Sequence, residues 1–158
     1  MNFKKILVAV DASENSARAV AYVAEMVGNT PGFHVTLLYV ERLPERDTFP
    51  DEEAWRKASR TQENTIRVFL DNSKQQLEQS GVAPERVAIE YVSASALGPR
   101  RSEGYAVARH VLQVHTEGGF GTVVVGRRGM SKAEEFLFGS VTTKIIHNAK
   151  DCTVWVVE

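Results

Sequence analysis

What this chain has little of narrows the reading before any motif is considered. Cysteine occurs once, as Cys152. No internal disulfide can form, and no Cys/His cluster has zinc-ligand spacing, so the fold rests on its core and Cys152 reads as a small core residue. Long hydrophobic runs are missing as well. The apolar stretch at residues 6–10, ILVAV, is far shorter than the ~20 residues of a membrane helix and too short for a signal peptide. The expectation is a cytoplasmic protein without membrane contact. Charge of one sign is also scarce: 19 Lys and Arg against 20 Asp and Glu leave a formal net charge of -1, which gives no reason to expect nonspecific nucleic-acid binding. His34, His110, His115 and His147 are dispersed without a triad or metal pattern, so no catalytic residue and no metal site is assigned. Internal repeats and low-complexity segments are absent.

What is present is a regular alternation. With 158 residues, the expectation is one domain spanning 1–158. Residues 4–10 form a short β-branched-rich run, the pattern of a strand buried on both faces, and Asp11 stands at its carboxyl end. Ser13 offers a helix N-cap. Ala17, Val20, Ala21, Ala24 and Val27 then recur at helical spacing until Gly28 and Asn29 stop the helix. A second strand covers 34–40, ending at Val40. The charged segment 41–51, with two prolines, predicts an exposed loop on the carboxyl side of the sheet. A long helical pattern from Glu52 carries Trp55, Ala58, Ile66, Phe69, Leu70 and Leu77 on one stripe, and its length predicts a break near Thr61. Strands at 87–92, 122–125 and 152–157 alternate with helices at 104–117 and 140–148. Such an order predicts a parallel, doubly wound sheet whose ligands bind beyond the strands' carboxyl ends.

The stretch that points to chemistry is 126–140, GRRGMSKAEEFLFGS, directly after the apolar Thr122, Val123, Val124 and Val125. Its glycines leave room for backbone to approach a ligand, and its end opens a helix whose unpaired N–H groups favour an anion. These features suggest a phosphate cradle. The spacing Gly126-x2-Gly129-x9-Gly139-Ser140, together with ILVAVDASENS at residues 6–16, closely resembles the universal stress protein family. The likeness extends over nearly the whole chain: first strand with Asp11, second strand ending at Val40, long second helix, glycine motif and short terminal strand.

That resemblance implies a single-domain three-layer α/β/α fold with a five-stranded parallel sheet in order 3-2-1-4-5, Rossmann-like and of the adenine nucleotide alpha hydrolase-like kind. It also places the chain in the branch that keeps the ATP-binding motif, with ATP or another adenine nucleotide as ligand, with or without Mg2+. Carried over by position, it sets adenine beside Ala9, Asp11 and Val40. Val125, Gly126 and Gly129 fall on the ribose and phosphate side, and Gly139, Ser140 and Val141 meet phosphates, with Ser140 also capping its helix. It further implies a homodimer in which the terminal strands 152–157 pair antiparallel.

Two departures from the family pattern stand out. The segment SASALGPRRSEG is long and basic, and Gly-Phe-Gly-Thr replaces a more acidic lead-in to the fourth strand. Several readings stay open on sequence alone. Asp11 either caps the first helix or binds the base, and the two roles are compatible. Arg127 and Arg128 either pair with phosphate or are solvated, and the same holds for Arg100 and Arg101. Three functions compete: a nucleotide-binding stress regulator, a slow ATP hydrolase or phosphotransferase, and a nucleotide-free dimeric scaffold. The G-x4-G-K-[ST] loop of common NTPases is missing.

Overall fold

Among the described residues, the β-branched and leucine-rich runs become five parallel strands: β1 (Asn2–Val10), β2 (His34–Val40), β3 (Val87–Val92), β4 (Phe120–Gly126) and β5 (Thr153–Val157), of which β1, β2 and β4 are buried on both faces and the edge strands β3 and β5 stay partly exposed. Their order in the sheet is β3-β2-β1-β4-β5, the order that the family resemblance implies. The structure, a computed structural model, describes residues 2–97, 103–128 and 139–158. Among the described residues the α-helices are α1 (Glu14–Val27), α2 (Glu52–Gln79), α3 (Glu103–Gly118) and α4 (Ser140–Asn148).

Strand alternation divides the core into two layers. Ile6, Val8, Val35, Leu37 and Val124 face α1 and α2, where they pack on Val20, Val23, Ile66, Leu70 and Leu77. Leu7, Leu38, Val40, Val123 and Val125 face the other way, onto Ala108 and Val111 of α3 and Ile145 of α4. Each of β1, β2 and β4 therefore contributes to both cores, which is why these strands are apolar throughout.

Helix starts follow local chemistry. The Ser13 side chain accepts from the N–H of Ser16, and Asp51 accepts from Ala54 at 2.7 Å. The break expected near Thr61 is not present, since α2 runs uninterrupted over 28 residues. Its hydroxyls fold back onto the helix: Ser59 donates to Trp55, Thr61 to Lys57 and Thr65 to Thr61, each a carbonyl one turn earlier. Ion pairs one turn apart, Arg56–Glu52 and Arg67–Glu63, brace the exposed face.

The unusual lead-in to the fourth strand has a packing cause. Phe120 and Gly121 lie inside β4, and a Cβ at Gly121 would stand 2.6 Å from the Asn2 carbonyl oxygen. Only glycine lets β1 pass so close. At the far edge of the sheet, Trp155 of β5 meets Tyr22 of α1 edge-on at 5.6 Å. Cys152 just precedes β5, half-buried against the α3/α4 core; burial first, then the nearby Asp151 charge, raises its thiol pKa. Among the described residues, no helix is long and apolar enough to cross a membrane.

Candidate functional site

The sheet order reverses between β1 and β4, and a crevice at the carboxyl ends of parallel strands is the expected place for a ligand. A cavity of about 290 Å³ opens there, at the small end of the ~300–1,000 Å³ usual for ligand pockets. Its floor follows from one short side chain. Ala9 pairs in register with Leu38 on one side and Val125 on the other. It faces the α3/α4 layer, and where Leu7 fills that layer, Ala9 leaves it open. Val107 and Val111 of α3 form the opposite wall.

All eight described residues of the sequence-derived site line this cavity: Ala9, Asp11, Val40, Val125, Gly126, Gly139, Ser140 and Val141. Gly129 lies outside the described residues, as do Arg100 and Arg101.

Asp11 sits at the end of β1 within a local network. Its Oδ1 accepts from the Ser13 N–H at 3.1 Å and from the Ser16 hydroxyl at 2.8 Å, and its own N–H donates to the Ser16 Oγ at 3.0 Å. The turn is completed by Ala12 at φ 61°. This left-handed conformation costs a non-glycine residue about 1–2 kcal/mol. Helix capping itself falls to Ser13, so Asp11 organises the turn without capping α1.

The anion side differs in detail from expectation. Ser140 does not cap its helix: it is the first residue of α4, and the N-cap is Gly139 at φ -66° and ψ 162°. The chain already reaches helical geometry at Ser140 because the Gly139 N–H is held by the Arg127 carbonyl at 2.9 Å. That bond engages the Gly139 amide inside the protein. The N–H groups of Ser140, Val141 and Thr142 are the ones without an intrahelical acceptor, and they carry the positive end of the helix dipole. The Thr142 hydroxyl donates to the Gly126 carbonyl at 2.8 Å, tying α4 to the end of β4.

The two arginines of the motif part company. Arg127 is a structural tie: its guanidinium pairs with Glu158, and its N–H donates to the Val157 carbonyl at 2.6 Å. Arg128 lines the cavity, while its carbonyl accepts from the Asn15 amide at 3.2 Å. The space beside Gly126 is set by the same Asn15, whose Cβ would be 2.8 Å from a Cβ on that glycine.

Sequence reasoning missed the outer wall. Arg42, Leu43, Pro44 and Glu45, read as an exposed loop, line the cavity together with Gln62 of α2. Two α2 side chains hold that loop in place: the Trp55 indole N–H donates to the Pro44 carbonyl at 2.8 Å, and the Gln62 amide donates to the Arg42 carbonyl. Glu41 anchors its root by accepting from the Tyr91 hydroxyl and the Ala94 N–H, each at 2.8 Å. Burial first, then this bond to Glu41, raises the Tyr91 pKa and keeps the phenol protonated. Leu43, an apolar residue within a charged segment, was the available signal.

Elsewhere, His115 is buried and its Nε2 donates to the Lys150 carbonyl at 3.2 Å, a tie between α3 and the segment before β5. Among the described residues, no group of three His, Cys, Asp or Glu side chains is arranged to hold a metal ion.

Comparison with known proteins adds a family and a set of folds. The model of the universal stress protein family matches residues 2–97 and 99–158. No curated protein matches the chain. Among solved structures, hypothetical protein MJ0577 superposes with a TM-score of 0.67 at 22% identity, over 99% of this chain and 96% of that one. A universal stress protein in complex with cAMP gives 0.65 at 17% identity, over 100% and 98% of the two chains. The universal stress protein from Archaeoglobus fulgidus in complex with dAMP gives 0.58 at 18% identity, over 100% of each. At these identities the likeness concerns the fold.

Proposed function

The chain belongs to the universal stress protein family, and we propose that it is an adenine-nucleotide-binding member, ATP being the expected ligand, that acts in the cytoplasm as a stress-response regulator or interaction module. The observation that carries this reading is the convergence of Ala9, Asp11, Val40, Gly126 and the start of α4 on one cavity. Family members of the same fold have been solved with cAMP and dAMP, which supports adenine as the base.

The residues present fit such a ligand. The apolar floor of Ala9, Val40 and Val125 suits a base, and the Asp11 carboxylate is able to accept from an exocyclic amine. The N–H groups opening α4 suit phosphate oxygens, and Arg128 is a cation lining the same cavity, as is Arg42 of the outer wall. On this reading Gly129 lies on the ribose and phosphate side, and any Mg2+ arrives with the phosphates. A site of this kind holds its ligand, and the occupied and empty states present different surfaces to partners.

The test is to denature freshly purified protein, identify any released nucleotide, and titrate ATP into the emptied protein with and without Mg2+. A released adenine nucleotide or a saturable heat of binding is the expected result. Absence of both removes the proposal and leaves a nucleotide-free scaffold.

We also propose a homodimer through β5. Among the described residues this strand pairs with β4 alone, and its open backbone edge invites a second copy. Light scattering at micromolar concentration should give twice the chain mass of 17.5 kDa; a monomer would rule the pairing out.

A further inference from the structure

We propose that the protein has a second ligand site, on the α1/α2 side of the sheet, for a small apolar carboxylate, a compound with a hydrocarbon body and one anionic head. The site stands whatever the first cavity holds.

A cavity of about 580 Å³ opens between α2, the segment before it and the turn from β1 to α1, well within the ~300–1,000 Å³ usual for ligand pockets. Ala12, Phe49, Ala54, Ala58 and Ile66 give it apolar walls from three separate parts of the chain. It is distinct from the first cavity. The floor there, Ala9, Val40 and Val125, belongs to the α3/α4 layer, whereas Tyr39 and Ile66 belong to the α1/α2 layer. Asp11, Tyr39 and Gln62, at the boundary, line both.

Polar groups around the second cavity decide the charge of its ligand. Thr61 and Thr65 donate their hydroxyl protons to carbonyls of their own helix at 3.0 and 2.9 Å. The Asp11 carboxylate already has partners within the protein, the Ser13 N–H and the Ser16 hydroxyl among them. Two donors are left without a matching acceptor. Tyr39 is only 5% exposed. Its hydroxyl oxygen stands 3.5 Å from the Gln62 amide nitrogen, beyond the usual hydrogen-bond range, and its proton meets no acceptor among the described residues. A buried donor in that condition is costly, and one that lines a cavity is matched by an acceptor on a ligand. Lys57 is the one cation among the described residues lining this cavity. No described carboxylate pairs with it, although Arg56 and Arg67 on the same helix each hold a glutamate. An apolar chamber with a phenol proton and an unpaired ammonium fits an acceptor that carries negative charge, and a carboxylate is both.

Octanoate and 1-octanol are suitable probes, since both carry an eight-carbon chain and they differ in the charge of the head. Calorimetry gives their affinities, methyl NMR locates them, and circular dichroism checks the fold of each variant. Expected is saturable one-to-one binding of octanoate that shifts the methyl signals of Ala54, Ala58 and Ile66, leaves those of Ala9 and Val125 in place, and survives saturating AMP. Lys57→Gln should weaken octanoate about fivefold, the upper end for an exposed ion pair, and leave octanol within twofold. Tyr39→Phe should weaken octanoate about tenfold, as loss of a hydrogen bond to a charged group does. Ala58→Trp, which fills the chamber from α2, should remove both probes. Absence of saturable octanoate binding to the parent overturns the proposal. So do shifts confined to Ala9 and Val125, displacement by AMP, or an octanoate affinity unchanged in folded Lys57→Gln and Tyr39→Phe.

Discussion

Gly126→Val is expected to abolish measurable adenine-nucleotide binding and to lower stability at the same time. Glycines in this stretch suggest space for an approaching anion, but at Gly126 the space is taken by the protein. A Cβ there would stand 2.8 Å from the Asn15 Cβ, 3.0 Å from its carbonyl carbon and 3.2 Å from its carbonyl oxygen. Two of those atoms are backbone at the start of α1 and cannot rotate away. Overpacking of this sort costs about 1–3 kcal/mol, read as a lower denaturation midpoint. The start of α1 must move, and Ser13 and Ser16 with it, so the Asp11 network is disturbed. The end of β4 shifts too, and with it the Gly126 carbonyl that accepts the Thr142 hydroxyl. Both halves of the site lose register, and affinity should fall by more than ~100-fold, or ~2.7 kcal/mol. Titration and urea denaturation on the same variant check this. Lost binding with unchanged stability would restore the anion-approach explanation. Lost stability with full affinity would leave the glycine a packing role alone.

Ser140→Asp should move binding and stability in opposite directions. The first turn of a helix favours negative charge, and an acidic residue there adds about 0.3–1 kcal/mol; α4 has no acidic residue in its first turn. The same carboxylate would occupy the ground proposed for phosphate. Two unit charges ~4 Å apart repel by ~1 kcal/mol in water and ~4 kcal/mol at an effective dielectric of ~20. Nucleotide affinity should therefore drop by about 5- to 1,000-fold, and added salt should recover part of it, because exposed charges are screened. Simultaneous loss of stability would mean that Ser140, close against Gly104 of α3, is limited by packing. Unchanged affinity would place the phosphates elsewhere.

The sheet was legible in the sequence because each strand is a short apolar run closed by turn residues, most plainly in β1, β2 and β4, which are buried on both faces. Helix α2 was legible in place but not in continuity. Its length suggested a break, whereas Ser59, Thr61 and Thr65 spend their hydroxyls on their own helix. The cavity residues Ala9, Asp11 and Val40 came from family likeness; the structure supplies the physical reason, a small side chain in register with Leu38 and Val125. What stayed hidden depends on distant partners. Nothing local in Arg127 and Arg128 says that the first answers Glu158 and the second lines the cavity. Nor does the segment 41–45 show that Trp55 and Gln62, ten residues or more further on, will hold its carbonyls. The Gly139 amide was expected to face an anion, but the Arg127 carbonyl takes it.

A crystal structure of the protein grown with AMP tests the central claim most directly. The account predicts the base on the Ala9, Val40 and Val125 floor with its amine at Asp11, and the phosphate at the N–H groups of Ser140, Val141 and Thr142. AMP bound away from this cavity, or an empty cavity at a saturating concentration, would contradict it.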